Sequence, residues 1–222
     1  MSVRQLRVVG VTGLLAALCF LVGFLVDPTP PVAGAPASQV LAHASASAAD
    51  RTAAFMFALS GALLIPFAAG VRAWFADISN APRWWGSVLL AAAIATGTLL
   101  IAASTLFFTL ASHPVQNSEL ATLLSDLINY AFIFVGFGSL LVVFALTALM
   151  LATGGPLALL GRIGVPVTLL QVVFLVTALF TSGPLVAGGV VTIVCFSAAG
   201  LFVTLTAIAM LWFARLMALA SH

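Results

Sequence analysis

Residues 85–111 read WGSVLLAAAIATGTLLIAASTLFFTLA, twenty-seven consecutive positions without a charged side chain. As a helix rising about 1.5 Å per residue, the run is roughly 40 Å long, more than the roughly 30 Å hydrocarbon core of a bilayer. A backbone crossing that core must satisfy its own amides, so the run is read as a membrane-spanning helix. Five more apolar runs follow the same logic, at 8–26, 52–76, 127–151, 163–181 and 187–213, making six spans in one transmembrane domain covering 1–222. The segments between them break or cap helices: Asp27-Pro28-Thr29-Pro30-Pro31, Ser79-Asn80-Ala81-Pro82, His113-Pro114, Gly154-Gly155-Pro156 and Ser182-Gly183-Pro184. Each carries a proline close to a helix end. The predicted fold class is all-α, a polytopic six-helix bundle.

Composition agrees. The chain is 64% hydrophobic with a mean hydropathy of +1.29, and 5% of its 222 residues are charged. Soluble domains are about 45–50% apolar, so a soluble reading is excluded. The net charge of +2 rests on seven arginines, with no lysine anywhere. That is too little basic surface to hold a phosphate backbone, which excludes nucleic acid as a partner. Without lysine there is no retinal Schiff base. There is no phosphate-cradling P-loop, no His-Glu-x-x-His, no paired intramembrane histidines and no serine nucleophile elbow. Cys19 and Cys195 lie inside apolar spans as small hydrophobes and offer neither a disulfide framework nor a metal set. No cofactor is expected.

Arginine sets the expected direction, because cytoplasmic flanks retain positive charge. Threading from a cytoplasmic N-terminus puts Arg4, Arg7, Arg72, Arg83, Arg162 and Arg215 inside and Arg51 outside, with Asp27, Asp50, Glu119 and Asp126 also outside. Both termini are then cytoplasmic, in a bacterial plasma membrane, and Trp74, Trp84, Trp85 and Trp212 form an aromatic belt on that side. Arg4 and Arg7 before an apolar run, with Val32-Ala33-Gly34-Ala35 after it, also resemble a signal peptide and cleavage site. The 19-residue run exceeds the usual h-region, so a retained first helix is expected, and no lipid anchor at Cys19.

Odd spans open alike, at Arg7-Val-Val-Gly10, Arg83-Trp-Trp-Gly86 and Arg162-Ile-Gly164. Even spans share Phe-x-x-x-Gly, at Phe57 to Gly61, Phe134 to Gly138 and Phe196 to Gly200. One reading is three tandem helical hairpins with glycines that let neighbouring backbones approach closely; the other is chance similarity within an Ala/Gly/Phe-rich alphabet. For helix association the sequence offers a stripe of Ala54, Ala58 and Ala62, and Ala93 with Gly97. Pro66 should bend the second span.

Ionisable groups near a bilayer are costly and therefore candidates for function. Asp126, Asn129 and Tyr130 lie at i, i+3 and i+4, on one helical face where the fourth span opens. At the same outer level stand Arg51, His113, Gln116, Asn117 and Glu119, joined by His43 and Asp50 if residues 38–50 form a helix leading into the second span. Two readings stay open. The group forms an outward-facing polar pocket; or Asp126 caps a helix N-terminus, Arg51 snorkels or pairs with Asp50 or Asp126, and the rest is solvated loop. Gln171, near mid-depth with no acid, histidine or lysine beside it, is expected to tie helices together.

At Ser38 to Arg51 and Leu124 to Gly138 the chain resembles a broad group of six-helix bacterial integral membrane proteins defined by a domain of unknown function. In that group an outer helix leads to an arginine opening the second span, and an acidic residue with Tyr/Asn character opens the fourth. The corresponding residues are Arg51, Asp126, Asn129 and Tyr130, and the resemblance implies fold and location only.

Three functions fit the sequence. One is a non-enzymatic membrane component, handling a small molecule or lipid or serving as an accessory subunit. Another is a membrane-embedded enzyme acting on a lipid or isoprenoid, with Asp126 as general acid and Tyr130 or Asn129 orienting it. The last is a pure scaffold. Membrane lipid is the expected partner in each, with other membrane subunits or a homo-oligomer as further candidates.

Overall fold

The computed structural model describes residues 1–26, 31–43, 48–112, 117–176, 179–180 and 189–220. Its helices are α1 (Val3–Val26), α2 (Ala37–His43), α3 (Ala48–Ile78), α4 (Trp84–Ser112), α5 (Ser118–Thr153), α6 (Gly155–Val176) and α7 (Val190–Ala220). All but α2 are long and apolar enough to cross a membrane, so the chain is an all-α polytopic bundle of six candidate spans. The spans form a ring in chain order, α1 against α3, α3 against α4, and so on through α6 to α7, which closes back onto α1. Close approaches register the ring as antiparallel: Val9 of α1 lies against Gly70 of α3, and Gly10 against Leu211 of α7, so the first and last spans share one end.

The spans differ from their expected bounds where polar residues continue a helix. α5 starts at Ser118 rather than near 127 and runs 36 residues, roughly 54 Å. It is therefore about 24 Å longer than a core of about 30 Å, and its polar residues Ser118, Glu119, Ser125 and Asp126 gather at its start. Between α5 and α6 the break falls on Gly154 (φ 81°), a left-handed backbone that favours glycine, and α6 then begins at Gly155 with Pro156 in its first turn. α6 also carries Pro166 well inside the helix, which the sequence reading passed over. α3 stays helical through Pro66. The end of the expected fifth span at 181 and the turn at 182–184 lie outside the described residues.

Small residues bring the helices together, although not the alanine stripe expected. Ala62 is exposed; the contact face of α3 instead runs through Ala53, Ala54, Phe57, Ser60 and Gly61. Gly61 meets Gly97 of α4 so closely that a Cβ on Gly61 would lie 2.7 Å from the Gly97 carbonyl oxygen, and a Cβ on Gly97 2.5 Å from that of Gly61. Ala93, fully buried one turn before Gly97, shares this seam as expected. Of the four tryptophans, Trp74 is buried against Phe75 and Phe213 rather than facing outward as a belt residue. Trp84 and Trp212 are half exposed, and Trp84 stacks on Trp85 at 3.9 Å.

The Phe-x-x-x-Gly pairs of α3, α5 and α7 do not lie alike, and the pair on α5 departs from the other two. Phe57 and Phe196 are buried, whereas Phe134 is 58% exposed and Gly138 turns back to Thr96 of its own hairpin. The residues that occupy the corresponding place are Phe132 and Gly136: Phe132 packs edge-on against Phe57 (centroids 5.4 Å apart) and Phe196 (6.4 Å), and Gly136 faces Phe174 of the next hairpin. Phe20 of α1 joins the cluster at 5.6 Å from both Phe57 and Phe196. Edge-to-face rings at such spacing attract beyond their buried area. This aromatic knot divides the core, with a second apolar cluster around Phe67, Val71, Trp74, Leu146 and Met210 towards the end that holds both termini.

Candidate functional site

The polar face of α5 is built from the cap upward. Asn117, not Asp126, caps the helix: its side-chain oxygen accepts from the Glu119 and Leu120 amides at 2.9 and 3.1 Å. Glu119 sits exposed in the first turn, where negative charge complements the helix dipole. Asp126 and Asn129 lie two to three turns further on, and both hold the segment that follows α1. The Gly34 amide donates to Asp126 Oδ1 at 2.8 Å, and Asn129 Nδ2 donates to the Pro31 carbonyl at 3.0 Å as well as to Ser125 O one turn back. Gly34 has φ 74°, so the turn over residues 32–35, weighed above as a cleavage site, needs glycine there.

Beyond this turn, α2 packs on the protruding start of α5: Ala35, Val40 and Ala121 form a small buried cluster with Val32 and Leu41 against it. Residues 31–43 thus make a strap across α5, and the carboxylate and amide expected to line a pocket are its fastening. Tyr130, the third member of the predicted face, is 38% exposed. Arg51 is half-buried in the first turn of α3 and forms no ion pair among the described residues, contrary to pairing with Asp50 or Asp126. Asp50 is buried, 4% exposed. The expected helix over 38–50 is described as two pieces, α2 ending at His43 and α3 starting at Ala48. His113, Gln116 and the His43 side chain lie outside the described residues.

Deeper in, Gln171 ties α6 to α7 as expected: its Nε2 donates to Cys195 O at 2.6 Å, while the Cys195 thiol donates to Leu170 O at 3.2 Å. Gln171 is fully buried, and its Oε1 has no hydrogen-bond partner among the described residues.

A cavity of about 60 Å³ lies on the bundle axis beside the aromatic knot, between α1, α3, α4, α5 and α7. Phe20 and Phe196 border it, and Ala17, Ala199 and Gly200 leave the space by being small. Its polar side-chain groups are hydroxyls, those of Ser60, Thr96 and Ser139, and among the described residues no ionisable side chain lines it. Thr96 donates to the Ala92 carbonyl, whereas Ser60 and Ser139 make no hydrogen bond among the described residues. Neither serine was singled out from sequence, because a lone serine in an apolar span carries no spacing signal. Compared with protein-family models, with curated proteins and with solved structures, the chain finds no match.

Proposed function

We propose that this integral membrane protein is a non-enzymatic component that handles a small molecule at the axial cavity. The observation that carries the reading is the contrast between two places. The cavity has room and hydroxyls, while Asp126 and Asn129, the groups needed for acid catalysis, are engaged by the strap. General acid work requires a carboxyl within hydrogen-bond reach of a reacting group, and no carboxyl lines this cavity. Membrane lipid is the partner that the outward leucines and phenylalanines call for. The arginine-rich end, with Arg4, Arg7, Arg72, Arg83, Arg162 and Arg215, faces the cytoplasm of a bacterial plasma membrane on this reading.

The test is uptake of xenon by the full chain in lipid nanodiscs, followed through the methyl resonances of Val135, Val142, Val143 and Val203 on the cavity wall. Saturable shifts that vanish in Gly200→Leu are expected; shifts that do not saturate, or that survive that substitution, overturn the reading. Orientation is checked separately by labelling cysteines introduced at Ser118 and Ala220 with a membrane-impermeant thiol reagent in intact cells. Only the former should react.

A further inference from the structure

We infer that the axial cavity takes an uncharged molecule of about two to four heavy atoms with one hydrogen-bonding oxygen, a short-chain alcohol or carbonyl compound, held by Ser60 and Ser139. This rests on the small-molecule reading above and names the ligand class.

Size sets the first limit. An apolar cavity of about 150 Å³ takes up benzene, a ring of six carbons, so a cavity of about 60 Å³ holds a handful of heavy atoms. Charge sets the second. No ionisable side chain faces the cavity, and an unpaired ion surrounded by Ala17, Leu100, Val142 and Phe196 would be heavily penalised.

The hydroxyls set the third. In lipid-buried helices serine and threonine ordinarily satisfy themselves by donating to the carbonyl one turn back. Thr96, Ser104, Thr147 and Thr206, all buried, do so here at 2.6 to 2.9 Å. Serines do so less regularly: buried Ser125 and half-buried Ser112 make no such bond, and neither do the two serines on the cavity wall, Ser60, 6% exposed, with the Met56 carbonyl one turn back, and half-buried Ser139, with that of Val135, which bond to no described residue. Neither oxygen is fully enclosed, so these two, on α3 and α5 to either side of α4, are hydroxyls on the cavity wall free to bond to a molecule held there. A filling of water alone suits the site poorly. At roughly 10–15 Å³ each, about four to six waters would fit, and each needs two to four polar partners that this wall does not supply. One oxygen on a small apolar body matches the ratio of hydroxyl to methyl surface.

The experiment uses the full chain in lipid nanodiscs, with propan-1-ol and propane as probes and the same four valine methyl signals as readout. Propan-1-ol should saturate them, and Ser60→Ala and Ser139→Ala should each weaken its apparent affinity three- to tenfold, the worth of one net hydrogen bond. Propane binding should be unchanged by either substitution, which also reports that the variants are folded. If propane binds as tightly as propan-1-ol and both alanine variants bind propan-1-ol like the wild type, recognition of an oxygen is wrong while small-molecule handling stands. If neither probe saturates and Gly200→Leu alters nothing, the broader reading falls with it.

Discussion

Replacing Gly97 by alanine tests whether the α3/α4 seam holds the bundle together. A Cβ at Gly97 would sit 2.5 Å from the Gly61 carbonyl oxygen, and a carbon–oxygen contact is comfortable only from about 3.3 Å. The two atoms must therefore separate by roughly 0.8 Å. Since the obstacle is backbone, no rotamer change relieves it, and α3 and α4 must move apart as bodies. Overpacking of this kind costs about 1–3 kcal/mol, here towards the upper end, and the helix preference of alanine over glycine returns up to about 1 kcal/mol. The net expected loss is about 2 kcal/mol, or roughly 4–8 °C in the unfolding midpoint of a chain this size. Gly200→Ala is the matched control, because its Cβ would meet Phe20 at an ordinary 3.7 Å and the change should be neutral or slightly stabilising. Both are measured by thermal unfolding of the purified protein in detergent. Should Gly97→Ala melt with the wild type, or Gly200→Ala lose as much, close backbone approach is not what organises this seam.

Further expectations concern the strap, the aromatic knot and the buried amide. Asp126→Ala removes the acceptor for the exposed Gly34 amide, so hydrogen exchange at Gly34 and proteolysis within 31–43 should rise while the melting midpoint stays within about 2 °C; collapse of expression would show that the carboxylate supports the whole fold. Phe132→Ala should cost about 2–3 kcal/mol by detergent unfolding and Phe134→Ala less than about 1, because the first ring meets Phe57 and Phe196 and the second faces outward; equal losses would restore the register read from sequence. Gln171→Leu should stay within about 1 kcal/mol of the wild type, since losing the bond to Cys195 O is offset by removing an unpartnered oxygen, whereas Gln171→Glu should cost several kcal/mol by burying a charge.

Much of the architecture was legible in the sequence because bilayer crossing imposes length and apolarity that a run such as 85–111 cannot disguise. Gln171 was readable for the same reason, as the strongest polar group at mid-depth with no ionisable neighbour. The rest depended on contacts that leave no local pattern. That Asp126 grips Gly34 involves positions 92 apart, and the start of α5 at Ser118 was hidden because its exposed turns lack the apolarity used to mark a span. The repeat was read at Phe134 without regard to Phe132, which also precedes a glycine by four, and only the three-dimensional convergence with Phe57 and Phe196 separates them.

Closure of the ring by α7 against α1 has a consequence for how the protein is made. Gly10 of α1 forms a hollow filled by Leu211, and Gly13, which faces Phe67 of α3, also meets Ala207; Leu211 and Ala207 both belong to α7, made after the four spans between. While α3 to α6 are made, α1 therefore keeps one flank against lipid or against the insertion machinery, and its native neighbour on that flank arrives only with α7. A nascent chain stalled before α7 emerges is an open arc whose two edges are unmatched, a distinct target for quality-control proteases of the membrane.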